Sequence, residues 1–263
     1  MSHESLVANR LNSMFEEKKN NLLSVYFTAG YPELNATLDI AEALEKAGAD
    51  FLEIGFPYSD PVADGPTIQH SSQKALDAGM TLNLLFEQLK ELRQRISIPV
   101  LLMGYANPMV QYGVERFCAK AAEVGVDGVI VPDLPMYEYE QLYKDIFAKH
   151  NLSNIFLVTP QTAEARIRKI DELSNSFIYL LSSASITGRS LTISDTIESY
   201  FQRIKDMQLK NPTVIGFGIA DKAAYQKATA YANGAIVGSA FVKFLGTENY
   251  LERIPEFIQS IKS

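Results

Sequence analysis

The feature that most narrows the fold is a rhythm. Eight short apolar or β-branched runs recur along the chain: LLSVYFTAG (22–30), FLEIGF (51–56), PVLLMGY (99–105), GVIVPD (128–133), NIFLVTP (154–160), FIYLLSS (177–183), TVIGFG (213–218) and GAIVGS (234–239). Each is followed by an amphipathic segment long enough for a helix, such as LNATLDIAEALEKAGA or GVERFCAKAAEVGV. Strands that are apolar at nearly every position are buried on both faces, as parallel strands covered by helices are. Eight such β–α units predict an α/β fold, a single (β/α)8 TIM barrel with residues 1–263 as one domain. A doubly wound open sheet is the alternative. KAGADFLEIG, EVGVDGVIVPD and YANGAIVGS each place a glycine between helix and strand, where a left-handed residue ends the helix. Two additions break the rhythm. SLVANRLNSMFEEKKNN predicts an extra N-terminal helix, and DAGMT divides the long segment after the second strand into two helices. No low-complexity linker marks a domain boundary.

Composition removes several function classes. The net charge of −7 argues against nucleic acid or an anionic membrane surface as partner. A bound phosphate would therefore need local donors. Cys118 is the only cysteine, which excludes an intramolecular disulfide and a cysteine zinc site. It lies in a helical pattern and reads as a core-side residue. His3, His70 and His150 are scattered, so no histidine metal site is expected. The N-terminal stretch is charged and lacks the apolar core of a signal peptide. No window approaches the roughly 18 apolar residues of a membrane span. A reducing, cytoplasmic setting is expected.

In a barrel, chemistry gathers at the C-terminal ends of the strands. The second strand carries FLEIG. Leu52 and Ile54 suit the helix layer, and Glu53 then points into the barrel. An inward carboxylate is costly unless it is paired or used. None of the eight runs contains Lys or Arg to pair with it. A raised pKa suited to acid–base work is the functional reading; a structural ion pair is the bland one. The loop PYSDPVADGP adds Asp60 and Asp64. Asp60-Pro61 reads as turn chemistry, whereas Asp64 is either functional or a cap on the next helix. The glycine-rich ends GFGI (216–219) and VGSAFVKFL (237–245) stand where barrels hold phosphate, after strands seven and eight. SITGRS (185–190) reads as a small-residue lid.

LEIGFPYSDPVADGPTIQ, with YFTAGYP, LLMGYANPM, GVDGVIVPDLP, YLLSSASITG, GFGI and GAIVGSA in the same order, resembles the tryptophan synthase alpha subunit family over about residues 20–245. The resemblance implies a cofactor-free retro-aldol cleavage of indole-3-glycerol phosphate to indole and glyceraldehyde 3-phosphate. It places the catalytic acids on Glu53 and Asp64. Phosphate-binding positions fall on Gly188, Gly218, Gly238 and Ser239. The indole surround falls on Tyr26, Ile68, Met103, Tyr179 and Phe217, and a lid threonine that contacts the catalytic aspartate on Thr187. It also implies an α2β2 complex with a beta subunit, facing Asp60, Pro61, Asn107 and Pro135. Two departures stand out. Tyr26 replaces a frequent Phe, and in the lid Ser183 and Ser185 replace a frequent Arg and Gly. Two other readings compete: another phosphate-binding barrel enzyme, such as a sugar-phosphate isomerase or epimerase, and a subunit that only activates a beta partner.

Overall fold

The computed structural model describes residues 9–182, 195–216 and 218–262. Its eight strands are β1 (Leu22–Thr28), β2 (Phe51–Gly55), β3 (Val100–Met103), β4 (Gly128–Ile130), β5 (Ser153–Val158), β6 (Ile178–Leu181), β7 (Thr213–Gly216) and β8 (Gly234–Val237). They close into a barrel in chain order, every pair parallel. The circle is completed where Leu22 of β1 pairs with Gly234 of β8. Each strand coincides with one of the eight runs but is shorter. The last residues of each run leave the ladder and become the loops that carry the site.

Strand alternation sorts the side chains into two cores. Leu23, Val25 and Phe27 of β1 and Leu52 and Ile54 of β2 face the helices. Leu22, Phe51, Leu101, Ile130, Ile155, Phe177, Val214 and Ile236 fill the barrel interior. Burying one such side chain contributes about 1.5–3 kcal/mol.

The predicted N-terminal helix is present as Arg10–Glu17. Asn9 caps it by accepting from the Leu11 amide, and its Nδ2 donates to the Asp127 carbonyl at 2.8 Å. Leu11 and Phe15 join the interior core. The Phe15 ring stands 5.7 Å from Phe177, which stands 5.6 Å from Phe51. Together these groups stop the N-terminal end of the barrel.

After β2 the chain makes the helix Pro66–Asp77, turns at Gly79, and restarts as Leu82–Gln88 with Thr81 accepting from the Leu84 amide. This is the division read from DAGMT. A further short helix, Leu92–Arg95, follows through a 3-10 turn. Periodicity did not indicate the π-helical turn Tyr139–Tyr143, nor the break at Gly113 between Ala106–Tyr112 and Val114–Glu123.

Of the three glycine exits, Gly48 and Gly125 have the expected left-handed φ of 97° and 86°. Gly234 does not end a helix. The helix before it stops at Thr229, and Gly234 opens β8, where a Cβ would lie 2.6 Å from the Leu22 carbonyl oxygen. Its small size serves strand contact rather than a turn. Cys118 is fully buried on the core side of its helix. Among the described residues, no helix is long and apolar enough to cross a membrane.

Candidate active site

The register of β2 sets Glu53 beside Tyr26 of β1 and Leu101 of β3. Glu53 is completely buried. Ser24 Oγ donates to its Oε1 at 3.3 Å, while Oε2 has no hydrogen-bond partner among the described residues. Burial therefore dominates, and it pushes the carboxyl from 4.5 up to about 8 against the lowering effect of the Ser24 hydroxyl. At neutral pH the group is mostly a neutral acid held in an apolar wall.

The proline-rich loop then turns back over the barrel. The helix Pro66–Asp77 begins with Pro66 in its first turn after Gly65, and no side chain caps it. The cap reading of Asp64 is thereby set aside. Its backbone carbonyl accepts from Gln69 Nε2 at 2.8 Å, and its carboxylate turns inward to the Tyr105 phenol. Burial raises the Asp64 pKa, and the Tyr105 hydrogen bond opposes that rise. The same phenol oxygen accepts from the Ala63 amide at 3.0 Å. One tyrosine at the end of β3 thus anchors both the loop and its acid. The two carboxyl groups share a cavity but not an environment. Glu53 is completely buried and held as a neutral acid, whereas Asp64 is only partly buried; in each, one hydroxyl opposes the rise that burial causes.

Two tyrosines complete the wall. Tyr26 and Tyr179 are both pushed far above the ordinary phenol range, first by burial and then by nearby acids, Asp64 for Tyr26 and Glu53 for Tyr179. Both remain neutral. Each ring lies over a glycine of the next strand. A Cβ on Gly55 would come within 2.2 Å of the Tyr26 hydroxyl oxygen, and one on Gly216 within 2.0 Å of the Tyr179 hydroxyl oxygen. The same device therefore seats an inward phenol at β1–β2 and again at β6–β7.

These groups surround a cavity of about 400 Å³ at the C-terminal end of the barrel. Tyr26, Glu53, Asp64, Ile68, Met103 and Tyr179 line it. Gly218, Gly238 and Ser239 line it too, with Gly238 beside Tyr26 and Ser239 opening the short helix Ser239–Leu245. Nine residues singled out from the sequence thus meet in one space. Thr187, Gly188 and Phe217, with Ser183 and Ser185, lie outside the described residues. The sequence reading missed Ile219, Ala220, Ile236, Lys243 and Phe257, which also line the cavity. Lys243 follows Ser239 by four residues, one helical turn later, and that spacing was the available signal. Phe257 arrives from the last helix, Tyr250–Lys262, and nothing local announces it.

The family model described as tryptophan synthase alpha chain matches residues 12–261. The chain belongs to the tryptophan synthase alpha chain family. It is 56% identical over 253 residues to the tryptophan synthase alpha chain of Flavobacterium psychrophilum, an alignment spanning 96% of this chain and 99% of that one. It resembles the crystal structure of the tryptophan synthase alpha chain from Legionella pneumophila, with a TM-score of 0.87, 30% identity and 97% of both chains covered. It also resembles a chain in the crystal structure of the tryptophan synthase complex from Pyrococcus furiosus, with a TM-score of 0.82 and 34% identity over 92% of this chain and 98% of that one. Membership of the tryptophan synthase alpha chain family sets aside the isomerase and epimerase reading.

Proposed function

We propose that Glu53 and Asp64 carry out the lyase reaction of the tryptophan synthase alpha chain, the cleavage of indole-3-glycerol phosphate into indole and glyceraldehyde 3-phosphate. The observation that carries the assignment of roles is the pair of inward carboxyl groups in one cavity, one buried without a cation and the other hydrogen-bonded to Tyr105. Breaking the bond between indole C3 and the glycerol chain requires C3 to leave with an electron pair. Neutral Glu53 gives its proton to C3, and positive charge develops on the ring nitrogen. Asp64 accepts the hydrogen bond of that N–H and stabilises the charge. As the C–C bond breaks, its electrons restore the indole ring. The ionised Glu53 takes the proton from the adjacent hydroxyl, which becomes the aldehyde. The proton count closes, and Glu53 ends neutral, as it began.

Substrate placement follows the residues assigned to ring and phosphate. Tyr26, Ile68, Met103, Tyr179 and Phe217 hold the indole ring. Gly188, Gly218, Gly238 and Ser239 hold the phosphate, whose binding energy orients the reacting bond. The family resemblance assigns Thr187 the part of a lid residue that serves Asp64. Residues 1–263 act as one catalytic domain, in a cytoplasmic setting.

The alpha chain hands its indole to a beta subunit. We take the assembly to be an α2β2 heterotetramer. Its docking face is the rim carrying Asp60, Pro61, Asn107 and Pro135. Val62, on the loop of Asp60 and Pro61, and Tyr137, in the short helix Met136–Glu138 that follows Pro135, are 68% and 72% exposed, an apolar content that suits a protein partner.

The test is indole release by the purified chain, alone and with a beta subunit. The sequence contains no Trp, so indole fluorescence is read against tyrosine alone. Glu53→Gln and Asp64→Asn are each expected to lower the rate by about 10²–10⁴-fold. A folded, substrate-binding Glu53→Gln that releases indole near the parent rate refutes the assignment. No release by the parent in either condition, with the beta subunit still activated, identifies a pure activator.

A further inference from the structure

Ser24 lies on the inward face of β1, between Leu22 and Tyr26. It is completely buried, as is Glu53. A buried hydroxyl is unfavourable unless it is hydrogen-bonded, and Ser24 Oγ meets Glu53 Oε1 at 3.3 Å. The other carboxyl oxygen, Oε2, has no partner among the described residues, and Glu53 lines the cavity. We infer that Ser24 is a positioning residue for Glu53: it holds Oε1 and leaves Oε2 as the oxygen that passes the proton to and from the substrate.

This inference rests on the reading of Glu53 as the acid–base group. Among the described residues, the titratable groups facing Glu53 are Tyr26 from β1, Tyr179 from β6 and Asp64 from the loop after β2, with Tyr105 beside Asp64 and Lys243 also lining the cavity. β3 presents the apolar Leu101. Both facing phenols stay neutral, and no contact joins Ser24 to Asp64. Ser24 therefore acts on Glu53 alone. A hydroxyl that donates to a carboxylate favours the charged form, so its removal raises the proton affinity of Glu53.

The experiment titrates the Glu53 carboxyl by NMR in the full chain labelled with ¹³C-glutamate, with Glu53→Gln assigning the signal. It is paired with pH profiles of kcat and kcat/KM. Ser24→Ala is expected to move the titration midpoint and the alkaline limb of the profile upward together by about 0.5–1 pH unit. It is expected to lower kcat severalfold while KM stays near the parent value. A parental midpoint in a folded Ser24→Ala overturns the inference. The two readings fail separately. If Glu53→Gln is inactive and the Ser24→Ala midpoint is parental, only the Ser24 role falls. If Glu53→Gln is active, the reading of Glu53 falls first.

Discussion

Replacing Glu53 with Gln should make the protein more stable, by an amount that depends on pH. The folded state raises this carboxyl from 4.5 to about 8, so between those values it holds a proton that the unfolded chain has released. Unfolding then loses a proton, and stability falls as pH rises. The favourable contribution is complete below pH 4.5, shrinks through the interval and is gone above about 8. At about 1.4 kcal/mol per pH unit, carrying the charge inside the barrel costs at most about 5 kcal/mol. Glutamine has nearly the same shape, accepts from Ser24 and never ionises. The stability difference between Glu53→Gln and the parent should therefore grow with pH from 5 to 8 and level off beyond. Urea unfolding followed by circular dichroism, on both proteins at unit pH steps from about 5 to 9, measures that difference. Other titrating groups are common to the two proteins and largely cancel. A difference that stays constant across the range would mean that Glu53 has an ordinary carboxylate pKa. It could not then act as a proton donor at neutral pH.

Gly216→Ala tests the seating of Tyr179. Its Cβ would fall 2.0 Å from the hydroxyl oxygen, so the ring must tilt into the cavity, with about 1–3 kcal/mol lost in urea unfolding and KM raised. Phe177→Ala tests the barrel floor. The ring is fully buried between Phe15 and Phe51, and its loss should cost about 3–5 kcal/mol in stability while kcat at low temperature stays near that of the parent.

The barrel was legible because each run carries its own evidence. LLSVYFT, FLEIG and VLLM are apolar on both faces, and that pattern survives without knowledge of any neighbour. Glu53 was legible for the same reason: one acid breaks an apolar run at a position whose facing follows from alternation. Asp64 was not settled by local chemistry, since Asp-Gly-Pro can cap a helix equally well. Only the path of the loop and the Tyr105 contact decide it. Nothing in the sequence singles out Ser24, because its contact with Glu53 depends on how β1 and β2 align. The tyrosine–glycine pairs were hidden likewise. Tyr26 and Gly55 look unrelated until adjacent strands are aligned. Phe257 enters the cavity from the end of the chain, a long-range placement with no local signature.

The floor made by Leu11, Phe15, Phe51 and Phe177 turns the barrel into a blind-ended vessel. Among the described residues, these packed rings close the lower end, and the cavity lies toward the upper rim. After cleavage the two products therefore queue for one exit, and whatever covers that rim governs the order in which they go. A beta subunit seated there would act as a valve on traffic in both directions.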